Sequence, residues 1–309
     1  MGCLISHQDD AKVSDVPYTS YITPDASPRE TKSPIYAYRR YVVVQKLDIP
    51  SPVYLYFDKE AKTQVCIKRQ TKNAAKVHHC NDLSREIRML SKLKRLGAPH
   101  FTECLDTFDT TEYKMMVLPW RKHGDLFEWG HKHEVSEDVR KDIMRQLIKG
   151  LAFMHDHDMA HGDISLENVL IRQDQPLTVE WCDLSMGLEE GVHMPCVERK
   201  GKSWGKKDYM SPDAYYKDRD VCLAKTDIWG LGVLFFIMAT GFKNVIYGKA
   251  EGKFWKVLLT QGFQSTYRRY FEEFKFAPML IDLIDHMLVE NPEKRYTIHD
   301  VEKHPYLTE

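Results

Sequence analysis

The chain changes its hydrophobic rhythm once, near residue 120, and that change restricts the fold more than any other feature. Ahead of it lie three short β-like runs, Tyr41-Val42-Val43-Val44, Val53-Tyr54-Leu55-Tyr56 and Gln64-Val65-Cys66-Ile67-Lys68. Their β-branched and aromatic residues suit strands, and the charged stretch 57–62 supplies a hairpin turn between the second and third. Leu83, Ile87, Leu90 and Leu93 then recur at helical spacing, and segments 101–108 and 113–118 predict two more strands. Beyond Trp120 the pattern turns helical. Ile143, Leu147 and Leu151 recur every four residues with Met144 and Ile148 alongside, which predicts a buried helix. Further helices are expected over 225–240, 252–260 and 278–288. There is no internal repeat. A β-rich front followed by a helical rear predicts an α+β chain of two lobes with a cleft between them. The expected division is a tail over 1–36, a small β-rich lobe over 37–119 and a larger helical lobe over 120–309.

Bulk composition excludes more than it assigns. With 309 residues, 43% hydrophobic and 29% charged, there is material for a sizeable core, and a net charge of −1 gives no pull toward nucleic acid. Seven dispersed Cys without a CxxC pair predict reduced thiols in an intracellular protein. Fourteen His without partnering Cys or an HExxH helix do not predict a zinc site. The longest apolar run, 231–240, is too short to span a bilayer. The tail, with Pro17, Pro24, Pro28 and Pro34, lacks apolar periodicity and is expected to be flexible. It opens Met1-Gly2-Cys3-Leu4-Ile5-Ser6, the N-myristoylation pattern, and Cys3 offers a second acylation site. One myristoyl chain binds membranes only marginally, with K on the order of 10⁴ M⁻¹, so the second chain would decide stable anchoring. A membrane partner through Gly2 and Cys3, on the cytoplasmic face, is therefore expected, in an otherwise monomeric protein.

The chemistry-bearing stretch is His161-Gly162-Asp163-Ile164-Ser165-Leu166-Glu167-Asn168-Val169-Leu170. An Asp followed five residues later by Asn, before an apolar strand-like run, suits phosphate transfer: the Asp can accept a hydroxyl proton and the Asn can hold Mg²⁺. Three further elements fall in a fixed order around it. Val65-Cys66-Ile67-Lys68 and Arg85-Glu86-Ile87 precede it, and Trp181-Cys182-Asp183-Leu184-Ser185 follows. Tyr209-Met210-Ser211-Pro212-Asp213, Asp227-Ile228-Trp229-Gly230-Leu231-Gly232, Arg295 and His304-Pro305-Tyr306 complete the series.

In that order, over about residues 41–307, the chain resembles the eukaryotic protein-kinase family. The resemblance implies a two-lobed kinase fold that binds ATP and Mg²⁺ and phosphorylates a protein, on Ser/Thr. It implies Lys68 and Glu86 on the ATP phosphates, Asp163 as general base, and Asn168 and Asp183 as metal ligands. Adenine would meet the segment Leu118-Pro119-Trp120-Arg121, among Val53, Cys66, Leu118, Trp120 and Leu170. Asp213 would pair with Arg295, and Asp227 would brace the catalytic loop.

The departures are as informative. Between Leu47 and Val53 the sequence Asp48-Ile49-Pro50-Ser51-Pro52 contains no Gly where the family has a phosphate-covering glycine loop, and its prolines remove N–H donors. The divergent FIKK-type kinases are similar in lacking that loop while keeping Lys, Glu, Asp and Asn. Gly162 replaces an Arg that commonly pairs with a phosphorylated activation loop, and segment 183–213 contains no Thr. Its Arg199, Lys200, Lys202, Lys206 and Lys207 suggest an acidic or phosphorylated protein substrate. Ser165 stands where Ser/Thr kinases have Lys, and Lys206 where they have Thr. The two side chains are expected to meet beside the base, Lys206 returning positive charge to the transferring phosphoryl group. Two alternatives stay open: an inactive pseudokinase acting as scaffold or allosteric partner, and a small-molecule phosphotransferase of the aminoglycoside/choline type.

Overall fold

A five-stranded antiparallel sheet leads a helical body. The computed structural model describes residues 39–46, 53–72, 83–189, 193–194, 205–215, 221–242 and 253–309. The acylation pattern at Gly2 and Cys3, the glycine-free residues 48–52 and the basic Arg199, Lys200 and Lys202 lie outside the described residues.

The front sheet contains β1 (Tyr41–Lys46), β2 (Val53–Asp58), β3 (Thr63–Thr71), β4 (Asp106–Asp109) and β5 (Tyr113–Pro119), in the order β1-β2-β3-β5-β4. β3 lies centrally, where Cys66 faces Leu118 and Lys68 faces Met116 across the β5 register. Helix α1 (Leu83–Leu96) buries Leu83, Met89, Leu90 and Leu93 in the main core and carries Glu86 in with them.

One segment departs from the expected strand over 101–108. Only Asp106–Asp109 joins the sheet, whereas Phe101 makes a single parallel bridge to Trp181 and Thr102 N donates to Trp181 O at 2.9 Å. Its apolar residues and backbone donors are satisfied by the rear of the molecule, so the chain crosses between layers there instead of extending the sheet.

The rear begins with α2 (Leu126–Lys132) and α3 (Glu137–Asp156), the latter capped by Ser136, whose side chain accepts from Val139 N. A short strand β6 (Met159–Ala160) delivers the chain to the catalytic loop, and the hairpin β7 (Val169–Asp174) and β8 (Leu177–Trp181) leaves it. β9 (Leu188–Glu189) pairs back onto β6. β10 (His193–Met194), α4 (Pro212–Tyr215) and β11 (Val221–Cys222) lead into α5 (Leu223–Ala239). That helix buries 13 of its 17 residues, as an all-round apolar helix must. The helical stretch α6 (Lys253–Tyr270) is two helices broken at Gly262, whose φ of 79° and ψ of 171° are not helical, so the expected end near 260 falls at the break and a second helical segment follows it. α7 (Pro278–Met287), α8 (Ile298–Glu302) and α9 (Pro305–Thr308) close the chain. Among the described residues, no helix is long and apolar enough to cross a membrane.

Close packing sets the position of the catalytic loop. A Cβ on Gly230 of α5 would lie 2.8 Å from Ile164 Cβ, so only glycine lets the loop lie this near the helix.

Candidate active site

Strand alternation turns Lys68 to the same face of β3 as Cys66, toward α1. Its Nζ donates to Glu86 Oε2 at 2.8 Å and to Asp183 Oδ1 at 2.9 Å, so one ammonium ties the sheet, the helix and the rear lobe. Burial opposes the charge on Lys68, but the two carboxylates outweigh it and raise its pKa. Burial pushes Glu86 up to about 7, with Lys68 pulling the other way and Asp183 adding to the rise. Burial also opposes ionisation of Asp183, yet Lys68 and a hydrogen bond involving Ser185 hold it down at about 2.

These shifts have opposite consequences for stability. A lowered folded pKa makes the Asp183 contribution fully present above about pH 4 and lost as pH falls toward about 2. A raised one makes the Glu86 contribution fully present below about pH 4.5 and lost as pH rises through about 7. Urea unfolding across pH is expected to lose its 4-to-2 slope in Asp183→Asn and its 4.5-to-7 slope in Glu86→Gln. Variants that keep the wild-type profile would refute these assignments.

The catalytic loop is suspended from α5. Asp227 accepts His161 N–H at 2.8 Å and Gly162 N–H at 2.9 Å, and its Oδ2 lies 3.0 Å from His155 Nε2. Gly162 adopts φ 75°, a left-handed conformation that a side chain at this position would strain. That gives a backbone reason for the glycine, independent of activation-loop charge.

Asp163, 4% exposed, meets Asn168 within the same loop. Asn168 Nδ2 donates to Asp163 O at 2.7 Å and to Asp163 Oδ2 at 2.9 Å. With its amide turned this way, Asn168 Oδ1 is a fully buried acceptor with no hydrogen-bond partner among the described residues. Asp183 directs Oδ1 to Lys68 and Ser185 N, leaving Oδ2 outside those bonds. An orphaned amide oxygen and a carboxylate oxygen suit a hard divalent cation, so these residues fit Mg²⁺.

Ser165 and Lys206 do not meet as expected. Ser165 is fully buried, and its Oγ makes no hydrogen bond among the described residues. Lys206 Nζ is bound by Glu167 Oε1, since a carboxylate holds an ammonium better than a hydroxyl does. Glu167 in turn accepts from Tyr209 OH at 3.3 Å. Burial lowers the Lys206 pKa, with Asp163, Asp208 and Asp125 acting against that fall, so Lys206 lies within the electrostatic field of the base. The expected pairing of Asp213 with Arg295 is present at 2.7 Å.

Two acidic groups escaped the sequence reading. Glu167 is a neighbour of Asn168, and only its contact across 39 residues reveals its hold on Lys206. Asp125 caps α2 by accepting Glu128 N–H at 2.9 Å, and burial raises it to about 7. The pattern Asp125-Leu126-Phe127-Glu128 carried the capping signal.

The expected adenine contacts divide into two walls. Val53, Leu55 and Cys66 form one apolar group, with Leu118 against it, and Leu170 and Cys182 form another.

Residues 50–307 match the protein kinase domain, and the chain belongs to that family. It is 26% identical over 234 residues to the serine/threonine-protein kinase RAD53 of Saccharomyces cerevisiae, covering 71% of this chain and 27% of that protein. It is 28% identical over 258 residues to a probable myosin light chain kinase of Dictyostelium discoideum, covering 81% and 62% respectively. The chain thus matches less than two thirds of the length of either relative. A crystal structure of Rad53 1–466 in complex with AMP-PNP superposes with a TM-score of 0.67 at 21% identity, covering 87% of this chain and 66% of that one. The Rad53 kinase domain and SCD2 in complex with AMPPNP gives 0.64 at 19%, covering 88% and 91%. These likenesses establish the two-lobed kinase fold.

Proposed function

We propose that this protein transfers the γ-phosphoryl group of ATP to a Ser or Thr hydroxyl of a protein, at a membrane face. The observation that carries the reading is Lys68 held between Glu86 and Asp183, with Asp163 bonded to Asn168 and Asn168 O accepting Cys182 N–H at 2.9 Å next to Asp183. A decayed site would have no reason to retain a buried ammonium between two carboxylates, because burying charges without use is costly. The names of the relatives, serine/threonine-protein kinases among them, support the acceptor class.

In the proposed reaction Asp163 accepts the proton of the attacking hydroxyl as its oxygen bonds to phosphorus. Lys68, aimed by Glu86, holds the phosphate oxygens on the side of the departing diphosphate. Asn168 and Asp183 would hold Mg²⁺, which supplies charge neutralisation of the phosphates. Lys206, held by Glu167, supplies positive charge on the acceptor side. Reciprocal exchange tests that role. Lys206→Thr should lower turnover by about 10²-fold, and adding Ser165→Lys should restore a measurable part. An unimpaired Lys206→Thr variant would remove Lys206 from the chemistry.

The reading as a whole is tested by Mg²⁺-dependent ATP binding and labelled-phosphate transfer to a mixed protein substrate, wild type beside Lys68→Ala. Transfer that is absent, or untouched by the substitution, would leave the scaffold as the better reading. The membrane location rests on Gly2 and Cys3 alone. Gly2→Ala should move the protein from the membrane fraction to the soluble fraction, and equal partitioning would retract the anchor.

A further inference from the structure

The two walls of the base-binding space lead directly into the groups assigned to phosphate. Cys66 precedes Lys68 by two residues, Leu170 follows Asn168 by two, and Cys182 adjoins Asp183. The walls are separate apolar groups, one from the front sheet and one from the rear hairpin, and both are nearly closed to water: Cys66 and Cys182 are each 3% exposed. Among the described residues they have one packing partner in common. Trp120, half-buried, lies against both, whereas Leu118 borders only the front group.

We propose that the Trp120 indole occupies the base-binding space of the resting protein, so that a nucleotide must displace it to enter. This rests on the ATP reading above. Indole and adenine are both flat, fused bicyclic rings, and an indole between apolar walls gains the same kind of burial and dispersion contact that a purine would. The displaced ring also has somewhere to go. Next to the hinge segment, Trp120 borders a cavity of about 430 Å³ lined also by Arg121, Lys122, Arg172 and Asp174. Guanidinium planes there offer a face for an aromatic ring. Arg121 is held firmly for that purpose, its Nε and one terminal nitrogen donating to fully buried Glu180 at 2.7 and 2.9 Å. Apparent nucleotide affinity then falls by the fraction of molecules whose ring is out: a tenth open means about a tenfold loss. Trp120 thereby sets both the affinity and the size of base the cleft accepts.

The test uses the full chain, Trp120→Ala beside wild type, with two readouts. Alkylation of the free thiols by N-ethylmaleimide, resolved by peptide, reports whether the walls are uncovered; calorimetry with Mg–ATP reports affinity. Labelling of Cys66 and Cys182 should rise at least about tenfold, since labelling follows the open population, with Cys222 unchanged. ATP should bind about tenfold more tightly, and Trp120→Phe should fall between. Unchanged labelling of Cys66 and Cys182 overturns the proposal whatever ATP does. Uncovered thiols with no ATP binding by either protein uphold the occluding ring and sink the ATP reading instead. Should the Ala variant lose its fold, seen as loss of its far-UV circular dichroism, Trp120→Val carries the same comparison, and its labelling decides in the same way.

Discussion

Asp163→Asn is expected to reduce phosphate transfer by about 10²–10⁴-fold, the range a positioned general base contributes. The substitution is nearly isosteric. Asn168 Nδ2 donates to both Asp163 O and Oδ2, and an asparagine can present its amide oxygen to the same donor. The loop therefore keeps its shape, and what disappears is the capacity to take up a proton. ATP affinity should stay within about twofold of wild type, because a group that acts only in the transition state leaves ground-state binding alone. A transfer assay beside nucleotide titration separates the two. Loss of ATP binding together with transfer would assign Asp163 to loop architecture, and retained transfer would remove it as the base.

The second large effect concerns the fold. Asp213→Ala should destabilise the protein by about 3–5 kcal/mol, the usual cost of leaving a buried charge without its partner. Arg295 has no exposed side-chain surface, and its guanidinium donates to Asp213 Oδ1 at 2.7 Å, Lys225 O at 2.7 Å and Val289 O at 2.9 Å. Carbonyls satisfy its hydrogens but cannot neutralise it. Replacing both partners at once, Asp213→Leu with Arg295→Met, should cost far less than the single change, since no orphan charge remains. Urea midpoints of the two variants decide the matter. Equal losses would mean that the pair acts through shape, not charge.

Much of this was legible in the sequence for identifiable reasons. Lys68 and Glu86 sit in regular elements whose periodicity sets the face each occupies, while their pairing is what the resemblance to the kinase family implied. Asp163 and Asn168 share one short loop, and short spacings survive into geometry. Burial of α5 was equally plain from its continuous apolar run. What escaped was set by tertiary competition. Nothing local says that Lys206 will choose Glu167 over Ser165, because the choice depends on how two distant loops dock. Phe101 looked like a strand residue, and its apolar character was real, but the rear hairpin claimed it before the sheet could.

The suspension of the catalytic loop from Asp227 has a consequence for how the protein fails under heat. His161 and Gly162 hand their amide hydrogens to a carboxylate rooted in the most deeply buried helix of the molecule. Those amides can reach solvent only when that helix lets go. Loss of the catalytic loop's shape is then coupled to melting of the rear lobe, whereas fraying of the front sheet would withdraw Lys68 from Asp183 and leave the loop itself in place.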